Sequence, residues 1–272
     1  MKRVIGKLAA LSLAATLAGC AALSRQQYEG PVFDPTTLHA ETAEPLARPA
    51  HLDELLAKAA DARIVLFGED HKRRDDDEYI ASVLPYLKRA GYGTLALELS
   101  ASHQYLIDRY LLGRLNIESQ LHGTMQGRTP IDELPTLTAM ANSTTLLDAG
   151  RFNELQVVGV GQPPDYGRNI DASMREREVM MAQRIDGLAQ HGRVVVVLGA
   201  GHVLKEPMRG RYVMLKDQMA LLNEGEALVE PVAYMLSKKY PAFVVQLTDV
   251  VADIRMDLPS YDGHVDMTIP MR

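Results

Sequence analysis

The stretch Arg193-Val-Val-Val-Val-Leu198 constrains the chain more than any other. A short continuous apolar run of this kind is a strand buried on both faces, as in a parallel sheet covered by helices. Similar but weaker runs lie at 63–67, 93–97 and 155–160, with further strands at 211–215 and 242–247. Between them the spacing of apolar residues predicts helices over 52–60, 76–90, 102–112, 169–190 and 231–239, and Pro85 should kink the second of these. Residues 113–150 read as helices with loops, an insertion over one end of the sheet. Alternation of strands and helices gives an α/β fold with a mostly parallel central sheet flanked by helices, in a single domain over 51–272.

The chain has 272 residues, 47% hydrophobic and 24% charged, which is ordinary globular composition with ample material for one core. The core has no Trp and only four Phe to draw on, so Leu, Val, Ile, Ala and Met must fill it. A formal net charge of −6 argues against a nucleic-acid partner. A single cysteine rules out an intramolecular disulfide and a Cys-based zinc site.

That cysteine lies in a telling place. Lys2, Arg3 and Lys7 precede an apolar run over 8–18 that is too short to span a bilayer and has the layout of a secretory signal. Leu17-Ala18-Gly19-Cys20 resembles the bacterial lipobox, which implies a signal peptide over 1–19 and a lipidated Cys20 as first mature residue. Removal of 1–19 leaves 26 basic and 35 acidic residues, a formal −9. Residues 20–50, with four prolines, read as a flexible tether. The expectation is a protein held on a membrane surface by acyl chains. By resemblance to lipoprotein sorting rules, Ala21 places it on the periplasmic face of the outer membrane.

One pattern occurs twice at strand ends. Gly68-Glu69-Asp70-His71 follows the 63–67 strand, and Gly199-Ala200-Gly201-His202 follows the 193–198 strand. A third strand ends in Leu95-Ala96-Leu97-Glu98. Carboxyl ends of parallel strands are where α/β folds place their ligands, and a glycine there lets the backbone turn sharply. Glu69, His71, Glu98 and His202 should therefore meet on one rim of the sheet. An imidazole oriented by a carboxylate can act as general base. Together the four could hold Mn, Co, Zn or Fe, and a metal there could activate water.

These motifs, with Glu176-Arg177-Glu178-Val179-Met180-Met181-Ala182 on the long helix and Val197-Leu198 before the second glycine, resemble a superfamily. It joins erythromycin esterases, the ChaN haem-uptake lipoproteins, the TraB/PrgY pheromone-shutdown proteins and the TIKI metalloproteases. The likeness spans about residues 60–250, and the lipobox is shared with the ChaN branch. It departs from the pattern at Glu178, where many members carry Asp or Asn. The resemblance implies a ChaN/erythromycin-esterase-like fold and functional roles for Glu69, His71, Glu98 and His202. Arg177 either pairs with a carboxylate of the cluster, holds an anionic substrate group, or is a surface helix charge. The expected activity is hydrolysis of an ester or peptide bond in a small-molecule or peptide substrate, metal-assisted if a cation is bound. The alternative is a haem-binding, haem-uptake lipoprotein.

Other candidates are weaker. Asp75-Asp76-Asp77-Glu78 reads as a solvated helix start. His103 could approach the pocket, His122 sits in a Gly-containing loop, and His264 could return near the site with the C-terminal segment. Met174, Met180 and Met181 read as core. Gly159-Val160-Gly161 lacks the remaining glycine of a dinucleotide fingerprint. No G-x-S-x-G element occurs, which lowers the odds of a serine hydrolase.

Overall fold

The computed structural model describes residues 48–71, 73–128, 130–163, 165, 169–215, 218–222, 228–247 and 264–271. The expected signal peptide, Cys20 and nearly all of the expected tether lie outside the described residues. Among those described, no helix is long and apolar enough to cross a membrane.

Six strands form one sheet in which every pairing is parallel. They are β1 (Ile64–Glu69), β2 (Tyr92–Ser100), β3 (Gln156–Gly161), β4 (Arg193–Gly199), β9 (Ala242–Leu247) and β10 (Met267–Ile269), in the spatial order β10-β9-β1-β4-β2-β3. The valines of β4 are buried on both sides, as their unbroken run requires. Odd and even positions of β1 part cleanly. Val65 and Phe67 join one core; Ile64 and Leu66 join the other. The first core is closed by α1 (Leu52–Ala59), α2 (Arg74–Arg89), α3 (Gln104–Leu111), α4 (Ile117–Met125), α5 (Leu134–Asn142) and α6 (Thr144–Phe152). The second is closed by α7 (Ile170–His191) and α8 (Val232–Ser237). Helices α4 to α6 occupy the stretch read as helices with loops.

Several boundaries differ from expectation. Helix α2 begins at Arg74, not Asp76, and runs through Pro85 to Arg89. The 211–215 strand, β6, does not join the main sheet. It pairs antiparallel with β7 (Gln218–Leu222), while β5 (Met208–Arg209) pairs with β8 (Leu228–Val229). Its Tyr212 packs with Met174 and Val229 in a small core of its own.

Strand β2 carries one residue too many against β3. Leu97 pairs with Gly159 and Ser100 with Gly161, so Glu98 and Leu99 together face one position of the neighbouring strand. Such a bulge re-aims a side chain at a strand end. It also pushes backbone toward β3, and the two glycines make room for it. A Cβ on Gly159 would meet Leu99 O at 2.8 Å, and one on Gly161 would meet Glu98 O at 2.9 Å. The pair Gly159 and Gly161 is therefore a bulge partner. Replacing Gly159→Ala sets a methyl against a carbonyl that cannot yield, and should cost about 1–3 kcal/mol. Urea unfolding of wild type and variant checks this, with Gly187→Ala, where a Cβ meets nothing within 4 Å, as the benign control.

Candidate active site

Strands β1, β4 and β2 are neighbours, so Glu69, His71, Glu98 and His202 arrive on one rim from three adjacent carboxyl ends. Glu98 is the centre. Its Oε1 accepts a hydrogen bond from Arg177 Nη2, and its Oε2 accepts one from Gly199 N at 2.7 Å. His71 Nε2 lies 3.5 Å from Oε2, and His202 Nε2 lies 3.5 Å from Oε1. Burial alone would push the Glu98 carboxyl up; the Arg177 guanidinium above all, with a hydrogen bond from His71, outweighs it and holds the group well below the usual carboxylate range.

Glycine serves a separate purpose in each G-x-x-H unit. A Cβ on Gly68 would strike Val203 Cγ2 at 2.4 Å and Gln246 Oε1 at 2.5 Å, so β1 packs against its neighbours only without one. A Cβ on Gly199 would sit 2.9 Å from His71 Nε2. The second glycine thus admits the histidine of the first unit to Glu98.

His71 is the solvent-facing member, with its side chain 53% exposed. Buried Glu69 accepts from Nδ1 at 2.9 Å, which fixes the ring and turns Nε2 toward Glu98 and the cavity. Burial opposes charging of this ring; Glu69 and Glu98 together overcome it and push it up to about 11. Solvent around the exposed ring screens part of that effect.

His202 is buried and held from both sides. Glu178 Oε1 lies 2.5 Å from Nδ1 and Arg177 Nη1 lies 2.8 Å from Nε2. Burial lowers its basicity, but Glu178 and Glu98 push it up to about 9. The two demands conflict. A guanidinium only donates, so a protonated Nε2 would face it donor to donor. The 2.8 Å contact requires the neutral ring with its proton on Nδ1, donated to Glu178, and the short bond geometry decides for that form.

Arg177 is no surface charge. Besides Glu98 and His202 it donates from Nε to Gln162 O at 2.8 Å, and little of its side chain reaches solvent. Glu178 and Tyr212, to which the sequence assigned no role in the site, complete its back. Glu178 is buried and accepts from Tyr212 Oη at 3.0 Å and from Val232 N at 3.2 Å. Its position on the buried stripe of α7, with Met174, Met181, Ala182 and Ile185, was the available signal.

Asp76 and Asp77 correct the solvated reading of the acidic run, since both are buried. Asp76 Oδ2 accepts from Asp70 N at 3.0 Å and so ties down the turn that carries His71. Asp77 lines the cavity beside Glu69; burial first, and then the Glu69 carboxyl, push it upward. The weaker histidines lie apart from the cluster. His103 Nδ1 is 2.7 Å from Thr136 Oγ1, His122 bonds Gln126 on the surface, and His264 Nδ1 is 3.1 Å from Glu206.

The residues present do not fit the expected metal. Arg177 already stands between Glu98 and His202, and a guanidinium at the centre of the cluster repels a second cation. Among the described residues no group of three or more His, Cys, Asp or Glu is arranged to hold a metal ion. What the rim does border is a cavity of about 330 Å³, walled by Glu69, His71, Asp77 and Glu98 on one side and by apolar residues with Thr138, Asn142 and Ser143 on the other. Among the described residues that line the cavity, His71 alone is of a type that could serve haem as an axial ligand.

No family model and no curated protein sequence matches the chain. Solved structures do resemble it. One described as bacterial protein toxins is 15% identical, with a TM-score of 0.47, over 75% of this chain and 37% of that one. The effector domain RRSP of a MARTX toxin from Vibrio vulnificus is 17% identical, with a TM-score of 0.46, over 79% and 40%. ChaN of Campylobacter jejuni, in a structure described as cofacial heme binding, is 11% identical, with a TM-score of 0.39, over 72% and 85%. The chain spans about 37% of the length of the first toxin structures it matches.

Above neutrality the site makes stability fall as pH rises. His71 and Asp77 both have their folded values raised, so the native chain binds more protons than the unfolded one above neutrality. For His71 the stabilisation is complete below about pH 6.5 and is lost toward pH 11. The melting temperature should therefore decline from pH 7 to pH 10, and Asp77→Asn, which removes a buried charge in that range, should flatten the decline. Calorimetry across this range checks both.

Proposed function

We propose that the chain is a lipid-anchored member of the superfamily it resembles, and that its rim is a metal-free acid/base site hydrolysing a carboxylic ester or amide bond. One observation carries the reading. An exposed imidazole at a cavity mouth is oriented through Nδ1 by a buried carboxylate, while its Nε2 faces a buried carboxylate–arginine pair.

In this reading His71 is protonated at rest and acts first as acid. Water adds to the acyl carbon, the bond to the leaving group breaks, and the leaving oxygen or nitrogen takes the proton from Nε2. The surplus proton of the water returns to His71. Glu69 orients the ring, and Glu98, fixed by Arg177 and Gly199 N, keeps Nε2 aimed into the cavity. His202 with Glu178 and Tyr212 holds Arg177 in place.

The test is turnover of chromogenic ester and peptide substrates by the purified chain. His71→Ala should lower kcat/KM by about 10²–10⁴ with an unchanged circular dichroism spectrum. The alkaline limb of the rate should move to lower pH in Glu69→Gln, because losing that carboxylate makes the imidazolium easier to deprotonate. Full activity in His71→Ala would overturn the proposal. A Soret band on adding hemin, lost in His71→Ala, would replace it with haem binding. For the anchor, Cys20→Ser should abolish incorporation of labelled palmitate and release the protein from the membrane fraction; unchanged labelling would refute lipidation at Cys20.

A further inference from the structure

The cavity behind His71 has two unlike halves. Its floor is made of Leu97, Leu99, Leu146 and Val197, all deep in the first core. Its outer wall is one face of α5, where Pro135, Thr138, Ala139 and Asn142 follow at i, i+3, i+4 and i+7, with Ser143 at the helix end, so its polar groups lie on this wall and not on the floor. The inner wall is the row of Glu69, Asp77 and Glu98 beneath His71.

From this geometry we infer that the cavity is an acyl pocket, taking a short, neutral, apolar acyl group whose carbonyl carbon lies at His71. The inference rests on the hydrolase reading and names its substrate class. Three observations select that class. The floor offers an acyl chain apolar contact and no hydrogen-bonding partner. The Glu69 and Glu98 carboxylates, on a lining that among the described residues holds no Lys or Arg and only His71 as a basic residue, disfavour a carboxylate or phosphate in the same space. At about 330 Å³ the cavity stands at the small end of the range of roughly 300–1,000 Å³ that holds small molecules. An extended peptide needs a groove or a free strand edge; β1, β2 and β4 here are flanked on both sides by other strands. The wall residue that sets the depth is Ala139, the smallest of the four side chains on α5 and half-buried against the core. Thr138, exposed beside it, sets the width of the mouth.

The experiment is a chain-length series of p-nitrophenyl esters, from acetyl to octanoyl, with the full protein in detergent. The expected result is a kcat/KM that peaks at acetyl or butanoyl and falls about tenfold or more by octanoyl, since each methylene that does not fit is penalised. Ala139→Val should lower butanoyl against acetyl by about tenfold. Thr138→Tyr, a surface change that spares the fold, should move the ratio the same way. Efficiency that keeps rising to octanoyl, or a ratio untouched by both variants, overturns the acyl pocket. Absence of any turnover overturns the hydrolase reading instead, and the pocket is then decided by ligand-observed NMR of ethyl butanoate with His71→Ala protein. Saturable binding that disappears when Ala139→Val is added sustains it; no binding, or binding unchanged by that substitution, overturns it.

Discussion

The contact between Glu98 and Arg177 is the constraint on which the rest depends. Burying a carboxylate costs several kcal/mol unless it is paired and hydrogen-bonded. Glu98 meets that condition with a guanidinium on one oxygen and the Gly199 amide on the other. Each partner imposes its own requirement. Arg177 must lie on the buried side of α7, which in turn buries Glu178 and gives it His202, Tyr212 and Val232 N as partners. Glu98 must turn out of the strand pleat, which takes the bulge in β2 and hence the glycines of β3. Gly199 must stay a glycine, because His71 comes within contact distance of the place a Cβ would occupy.

A site arranged this way separates its two histidines by function. His202 has both nitrogens spent, one on Glu178 and one on Arg177, and works as part of the scaffold. His71 has Nδ1 committed to Glu69 and Nε2 only loosely engaged, 3.5 Å from Glu98. A proton carrier needs that freedom. The guanidinium that settles Glu98 also occupies the space a cation would need, so charge neutralisation is built into the chain.

Much of this was legible in the amino-acid order. Four consecutive valines fix a strand covered on both faces, and two G-x-x-H units after strands place their side chains on one rim. Sequence cannot show which strands are neighbours, and it is the order β1-β4-β2 that brings Glu69, Glu98 and His202 together. Acidic residues at a helix start are usually solvated, and only the packing of α2 against Glu69 makes Asp77 a cavity residue. Gly159 and Gly161 are uninformative in one dimension because their reason lies in the neighbouring strand. Glu178 was hidden differently. Its place on an apolar stripe was visible, but a glutamate there has meaning only once His202 is seen to face it.

The most direct test of this account is the titration of His71 itself, followed by NMR of its labelled imidazole in wild type and in Glu69→Gln. The account predicts a ring that stays protonated well above pH 7 in the wild type, with its proton on Nδ1 shared with Glu69, and that titrates markedly lower once Glu69 is neutral. A wild-type ring that titrates near the ordinary histidine value of about 6.5, and is indifferent to Glu69, would contradict the geometry on which the site is built.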